Sequence, residues 1–168
     1  MKIVNSTASD ISQILALYET ATKFQKLKGA VPWPKFSEKF VAQEVSEKRQ
    51  WKIVMSDQIA CVWAHTFSDP EIWGKKNSDP AIYIHRISTN PYFKGRGLVK
   101  KIVSWSKQFA ARNNKKFIRM DTVGENRGLI EYYQACGFDF LGLEKLTNTD
   151  NLPAHYHKAT VSLFELAL

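Results

Sequence analysis

The segment from Ala81 to Val123 constrains this chain more than any other, because a β-branched apolar run, a loop with two glycines and an amphipathic stretch follow one another without interruption. Ala81 to Thr89 reads as a strand, Leu98 to Asn113 as a helix from the spacing of Leu98, Val99, Ile102, Trp105, Phe109 and Ala110, and Phe117 to Val123 as a second strand. One β, α, β unit follows. Its connecting loop, NPYFKGRGLVKK from Asn90 to Lys101, sets Gly95 and Gly97 two positions apart directly before the helix. Glycine lets the backbone curl so that successive N–H groups point at one spot, and the helix adds its unpaired first amides and the positive end of its dipole. Phosphate oxygens can be held there, with Lys94, Arg96, Lys100 and Lys101 supplying charge around the same point. The plain alternative is a tight loop whose glycines only make the turn. A Walker loop would need GxxxxGK followed by Ser or Thr, and a dinucleotide fingerprint would need glycine or alanine where Lys100 stands, so both are disfavoured.

The rest of the chain supplies elements on either side. Lys2 to Asn5 reads as a short strand, and Ser9 or Asp10 can cap a helix carrying Ile11, Ile14, Leu15 and Tyr18 on one face. That helix stops near Lys28 and Gly29. Pro32 and Pro34 then bracket Trp33 in a loop, which suggests an exposed aromatic. Ser37 caps a second amphipathic helix. Trp51 to Met55 and Ile59 to Phe67 form a hairpin through Ser56, Asp57 and Gln58, and residues 68 to 80, with two Asp-Pro pairs, read as a loop. Asn126 to Cys136 reads as a short helix ended by Gly137, and Phe138 to Leu143 and Thr160 to Leu166 as final strands around a polar loop.

Length and charge narrow the field further. A chain of 168 residues suits a single domain, 1–168. Lys and Arg number 24 against 16 Asp and Glu, a net charge of +8, which favours an anionic ligand without choosing among a polyphosphate, an acidic acceptor and nucleic acid. The cations are dispersed, with no basic tail, so nucleic acid is not expected as a partner. Cys61 and Cys136, without CxxC companions, read as free thiols. The N-terminus lacks an apolar signal core, and no stretch approaches the ~18 apolar residues that span a bilayer, so no membrane association and a cytoplasmic location are expected. His155 and His157 flank Tyr156, and in a strand that spacing could offer two imidazoles to one metal; without a third ligand, no metal site is expected.

Lys94, Gly95, Arg96, Gly97, Leu98 and Val99 resemble the Gln/Arg-x-x-Gly-x-Gly/Ala coenzyme A loop of the GNAT N-acetyltransferase superfamily, with Lys94 in place of Gln or Arg and Val99 in place of Gly or Ala. IHRISTNPYFKGRGL resembles that family's fourth strand entering the loop, and NRGLIEYYQACGF its Asn-bearing helix and Tyr-x-x-x-Gly-Phe ending. The resemblance covers residues 82 to 138 and implies an α/β fold with a mixed, mostly antiparallel sheet of about six to seven strands and about four helices. It also implies acetyl coenzyme A as cosubstrate, with Ile87, Ser88 and Thr89 beside its pantetheine arm, the loop from Lys94 through Lys100 on its phosphates, and Asn126 touching the arm or only capping its helix.

Acetyl transfer to a primary amine needs a neutral nucleophile, a stabilised oxyanion and a proton for the departing thiolate. An amine of pKa about 10.4 is neutral in about one molecule per thousand at pH 7, so its proton must go somewhere. The strand alternates, setting Tyr83, His85 and Ile87 on one face and Ile82, Ile84 and Arg86 on the other. The family's frequent glutamate would fall near Tyr83, so His85 is the leading base, with Asp79, Asp121 or a water chain as alternatives. Tyr133 stands where the family's acid tyrosine stands; as plain structure it is an aromatic on a buried helix face. The acceptor is a small-molecule or peptide amine. A homodimer is among the allowed assemblies, and a noncatalytic acyl coenzyme A binding module or a basic nucleic-acid-binding domain are the rival readings.

Overall fold

The computed structural model describes residues 1–168. The elements run β1 (Lys2–Asn5), α1 (Ile11–Leu27), α2 (Glu38–Ser46), β2 (Gln50–Met55), β3 (Gln58–Thr66), α3 (Pro70–Trp73), β4 (Ala81–Thr89), α4 (Leu98–Arg112), β5 (Phe117–Val123), α5 (Arg127–Ala135), β6 (Asp139–Lys145) and β7 (Thr160–Ala167). The sheet has seven strands in the order β1-β2-β3-β4-β5-β7-β6. β1 with β2, β2 with β3, β5 with β7 and β6 with β7 pair antiparallel, while β4 and β5 pair in parallel, Ala81 opposite Phe117 and Tyr83 opposite Arg119. The mixed, mostly antiparallel sheet expected from the sequence is present. Five helices flank it rather than about four, the extra one being the single turn of α3.

Two compact units make up the chain, the first of Met1–His65 and His85–Lys101, the second of Thr66–Ile84 and Ile102–Leu168. In the first, Ile14, Leu17 and Tyr18 recur at helical spacing on α1 and bury against Val41 of α2 and Ile59 and Val62 of β3. Ser37 caps α2 by accepting the Phe40 N–H at 3.1 Å, as its position suggested. Ser56 and Asp57, with φ of 48° and 58°, form a two-residue turn of the kind whose twist matches a hairpin, and Gln58 joins the strand opposite Met55. Trp33 departs from expectation. Rather than standing exposed, it is half-buried, with its ring edge-on to Tyr18 at 5.8 Å and its backbone N–H donated to Gln25 Oε1 at 2.9 Å.

In the second unit, Ile72, Trp73, Ala81, Tyr83, Leu146 and Val161 form the core. The segment 68 to 80 is not a plain loop: it contains α3 and a 3₁₀ turn over Gly74–Ser78. Pro70 has the φ a first helical position needs, and burial of Ile72 and Trp73, each 4% exposed, fixes the turn. His155 falls in a 3₁₀ turn, Ala154–Tyr156, and not in a strand; its ring centroid lies 4.2 Å from that of Tyr156.

Arg119 of β5 is 1% exposed. It donates to Glu165 at 2.7 Å, to Asp79 at 2.5 Å and to the Lys76 carbonyl at 2.5 Å, so a buried cation ties the turn over Gly74–Ser78 to the sheet. Removing a buried cation leaves its carboxylate partners uncompensated. Arg119→Met is therefore expected to lower the unfolding free energy by about 3–5 kcal/mol in urea denaturation.

Candidate active site

The loop that singled itself out in the sequence lies in the first unit. Asn90 accepts the Tyr92 N–H at 3.2 Å and starts a 3₁₀ turn over Pro91–Phe93. Gly95 and Gly97 follow with φ of 78° and 64°, a region in which other residues are strained. A Cβ at either would meet nothing within 4 Å, so the glycines serve backbone direction and leave that side open to a ligand. The Lys101 N–H returns to the Gly97 carbonyl at 3.3 Å. Helix geometry therefore leaves the amides of Leu98, Val99 and Lys100 ahead of the first helical bond, at the positive end of α4. Leu98 and Val99 are 4% and 6% exposed, so both side chains turn away from the open side and Val99 does not crowd it. Lys94, Arg96, Lys100 and Lys101 are exposed, and the Lys94 Nζ lies 4.9 Å over the Phe24 ring. Helix amides ahead of the first helical bond, with exposed basic side chains around them, fit a diphosphate group.

Ile87, Ser88 and Thr89 lead into this loop. Ser88 is buried and donates its hydroxyl to the Leu17 carbonyl at 2.9 Å, and Thr89 lies 3.6 Å from Cys61 Sγ. Burial pushes the Cys61 thiol up to about 11, which keeps it protonated and unreactive near neutrality. The regular alternation expected along β4 is interrupted: Ala81 through Ile84 are all buried, and Arg86 takes a φ of 52°.

His85, also in the first unit, is half-buried. Burial of the ring, then the charges of Arg86 and Arg49 and the nearby His65, push it down to about 3. It is therefore neutral throughout the physiological range. His65, pushed down to about 4 chiefly by burial, is neutral as well and accepts the Trp51 indole N–H on Nδ1 at 3.0 Å.

Tyr133 and Asn126 lie in the second unit. Asn126 caps α5 by accepting the Leu129 N–H at 3.1 Å. Tyr133 is 8% exposed, with ring centroids of Phe164 and Phe138 at 5.2 and 6.3 Å. Two acids of this unit are strongly perturbed. Burial, then the charges of Asp121 and Glu71, push Asp69 up to about 8; burial pushes Asp121 up to about 6 against a hydrogen bond from Tyr156. Asp121 Oδ2 has no hydrogen-bond partner. Asp69 was not singled out from the sequence, where it reads as half of a turn-forming Asp-Pro pair; only packing reveals that it is 8% exposed and beside a second acid. Asp79, the other acid alternative, is engaged by Arg119.

The chain belongs to the acetyltransferase (GNAT) family, whose model matches residues 22–138. Among known proteins it is similar to the uncharacterized N-acetyltransferase YesJ of Bacillus subtilis, with 29% identity over 76 residues, 45% of this chain and 42% of the relative. The chain spans less than half the length of the curated relatives it matches. Its fold is shared with a GNAT family acetyltransferase from Listeria monocytogenes, at TM-score 0.77 and 19% identity, covering 99% of this chain and 94% of that one. It is shared too with YncA from Salmonella typhimurium, solved with its cofactor acetyl-CoA, at TM-score 0.71 and 14% identity, covering 100% and 94%. No helix is long and apolar enough to cross a membrane.

The raised Asp69 has a signed consequence. Between its unfolded value near 3.8 and its folded value near 8 the native state binds the extra proton, so the stability it contributes is full at low pH and lost as pH rises toward 8. Asp69→Asn is expected to raise the melting temperature at pH 9 by a few degrees, about 1 kcal/mol or more, and to change it little at pH 4. Thermal melts of both proteins at the two pH values measure this directly.

Proposed function

We propose that the chain is an acetyl-CoA-dependent N-acetyltransferase that acts on a primary amine, of a small molecule or a peptide, by direct attack. The observation that carries this reading is the Gly95–Gly97 loop, open toward a ligand and opening onto α4, in a chain of this family. Ile87 to Thr89 would run alongside the pantetheine arm as an added strand does, the amides of Gly95, Gly97, Leu98, Val99 and Lys100 would take the diphosphate, and Lys94 and Arg96 would add charge. Asn126 would meet the arm while capping α5.

The amine nitrogen attacks the thioester carbonyl, a proton leaves the nitrogen, and the electron pair then returns to expel the thiolate, which takes a proton from the Tyr133 hydroxyl. No covalent enzyme intermediate is needed. A ring whose conjugate acid has a pKa of about 3 cannot keep an amine's proton, so His85 serves as a neutral hydrogen-bond acceptor that orients the amine N–H. Asp121, with its carboxyl near 6 and an unengaged oxygen, has the proton affinity of a base working near neutrality.

Incubation with acetyl-CoA and a panel of amines, following free thiol, tests the reading. Turnover with at least one amine is expected, and Tyr133→Phe should lower kcat about 100-fold with little change in the KM for acetyl-CoA. Absence of thiol release with every amine would sink the enzymatic reading, and undiminished turnover in Tyr133→Phe would remove that residue from the chemistry.

A further inference from the structure

Arg86 is a non-glycine residue in the middle of a strand with left-handed backbone, φ 52°. Such a conformation is strained for a residue bearing a Cβ, and it persists only where the surroundings over-determine it. The residues that follow are Ile87, Ser88 and Thr89, whose backbone carries the proposed cosubstrate contact. A left-handed residue turns the next peptide unit away from its place in a regular strand, so the direction of the Ile87 N–H depends on what holds Arg86.

Three kinds of contact hold it, all in the first unit. Its guanidinium pairs with Glu44 of α2, a side chain 3% exposed. The rings of Phe40, Phe36 and Tyr18 lie 5.0, 5.4 and 5.9 Å from its Cζ, caging the cation. Two residues on, the Ser88 hydroxyl is tied to the Leu17 carbonyl of α1. The kinked strand is thus pinned to α2 at the kink and to α1 just beyond it.

This network is poorly explained as a stability device. Arg86 Nε, Glu44 Oε2 and Gln50 Nε2 have no hydrogen-bond partner, although Gln50 Oε1 accepts the Tyr18 hydroxyl at 3.1 Å and Glu44 Oε1 also accepts from Arg49 at 3.2 Å. Glu44 is buried and Arg86 14% exposed, and a half-satisfied, largely desolvated ionic network is generally less stable than an apolar filling of the same space. Strain and unpaired polar atoms concentrated immediately before a ligand-binding segment mark a site held for geometry.

From these contacts we propose that Glu44 is a positioning residue for acetyl transfer: by pairing with Arg86 it fixes the left-handed turn in β4 and so aims the Ile87–Thr89 backbone at the thioester arm. The inference rests on the acetyltransferase reading, but its geometric half is measurable without turnover. In Glu44→Leu, the coupling constant and Cα and Cβ shifts of residue 86 are expected to move from left-handed to extended values; retention of the left-handed signature would overturn the proposal.

Function is separated from the loss of the pair by two double variants. Glycine accepts positive φ freely and a β-branched residue does not. Glu44→Leu/Arg86→Gly is expected to keep kcat within about threefold of the unmodified chain, whereas Glu44→Leu/Arg86→Val should lose about 30- to 100-fold in kcat with the KM for acetyl-CoA little changed, the scale of a small misplacement of reacting groups. Equal kcat in the two folded doubles would overturn the proposal, because both lack the ion pair and differ in backbone preference. Should Arg86→Val not fold in that background, Glu44→Leu/Arg86→Ala provides the strained member of the comparison. If the unmodified chain turns over no amine, the acetyltransferase reading fails, while the spectroscopic result at residue 86 still decides whether Glu44 sets the turn.

Discussion

Parallel pairing of β4 with β5 is the constraint from which the site follows. Strands that run the same way cannot be joined by a short hairpin, so the chain must leave the end of β4, cross over and return, and here α4 makes the crossover. That obligation puts a helix N-terminus directly after the strand, with the Gly95–Gly97 loop between them. A loop that opens onto the unpaired first amides of a helix is thus a by-product of topology. Glycine at the two left-handed positions, and the inward turn of Leu98 and Val99, make it accessible to an anion.

Two cations, Arg119 fully buried and Arg86 partly so, stabilise local geometry by different logic. Arg119 has its donors engaged by two carboxylates, a backbone carbonyl and the Tyr83 hydroxyl region, and it locks the turn over Gly74–Ser78 onto the second unit. Arg86 is incompletely satisfied, and it sits where the backbone is strained. The first arrangement resembles a structural tie. The second concentrates cost at the strand that leads into the glycine loop, and strain of this kind clusters at functional sites. Burial also sets proton affinities: it drives His85 down and Asp121 up.

What could be read from the sequence was what local rules determine. Ser37 and Asn126 cap helices because a side-chain oxygen there meets free first-turn amides, whereas Asp10 at the start of α1 makes no such bond, and the glycine loop declared itself through its position between two periodic runs. The seven-strand sheet was legible through alternation and turn chemistry, helped by the family resemblance. The one-turn α3 was missed because Ile72 and Trp73 become helical by burial, not by propensity, inside a stretch rich in turn residues. The left-handed Arg86 was missed for a similar reason: its anchor, Glu44, lies far away in the chain. Asp69 and the weak basicity of His85 are products of desolvation, which no spacing records.

The proposed binding of the coenzyme A diphosphate by the loop between β4 and α4 is open to direct measurement. Titration of ¹⁵N-labelled protein with coenzyme A, followed amide by amide, tests it most directly. The account predicts saturable shifts largest at Gly95, Gly97, Leu98, Val99 and Lys100, continuing along Ile87 to Thr89. Saturable binding whose shifts lie elsewhere, or no binding at millimolar coenzyme A, would contradict it.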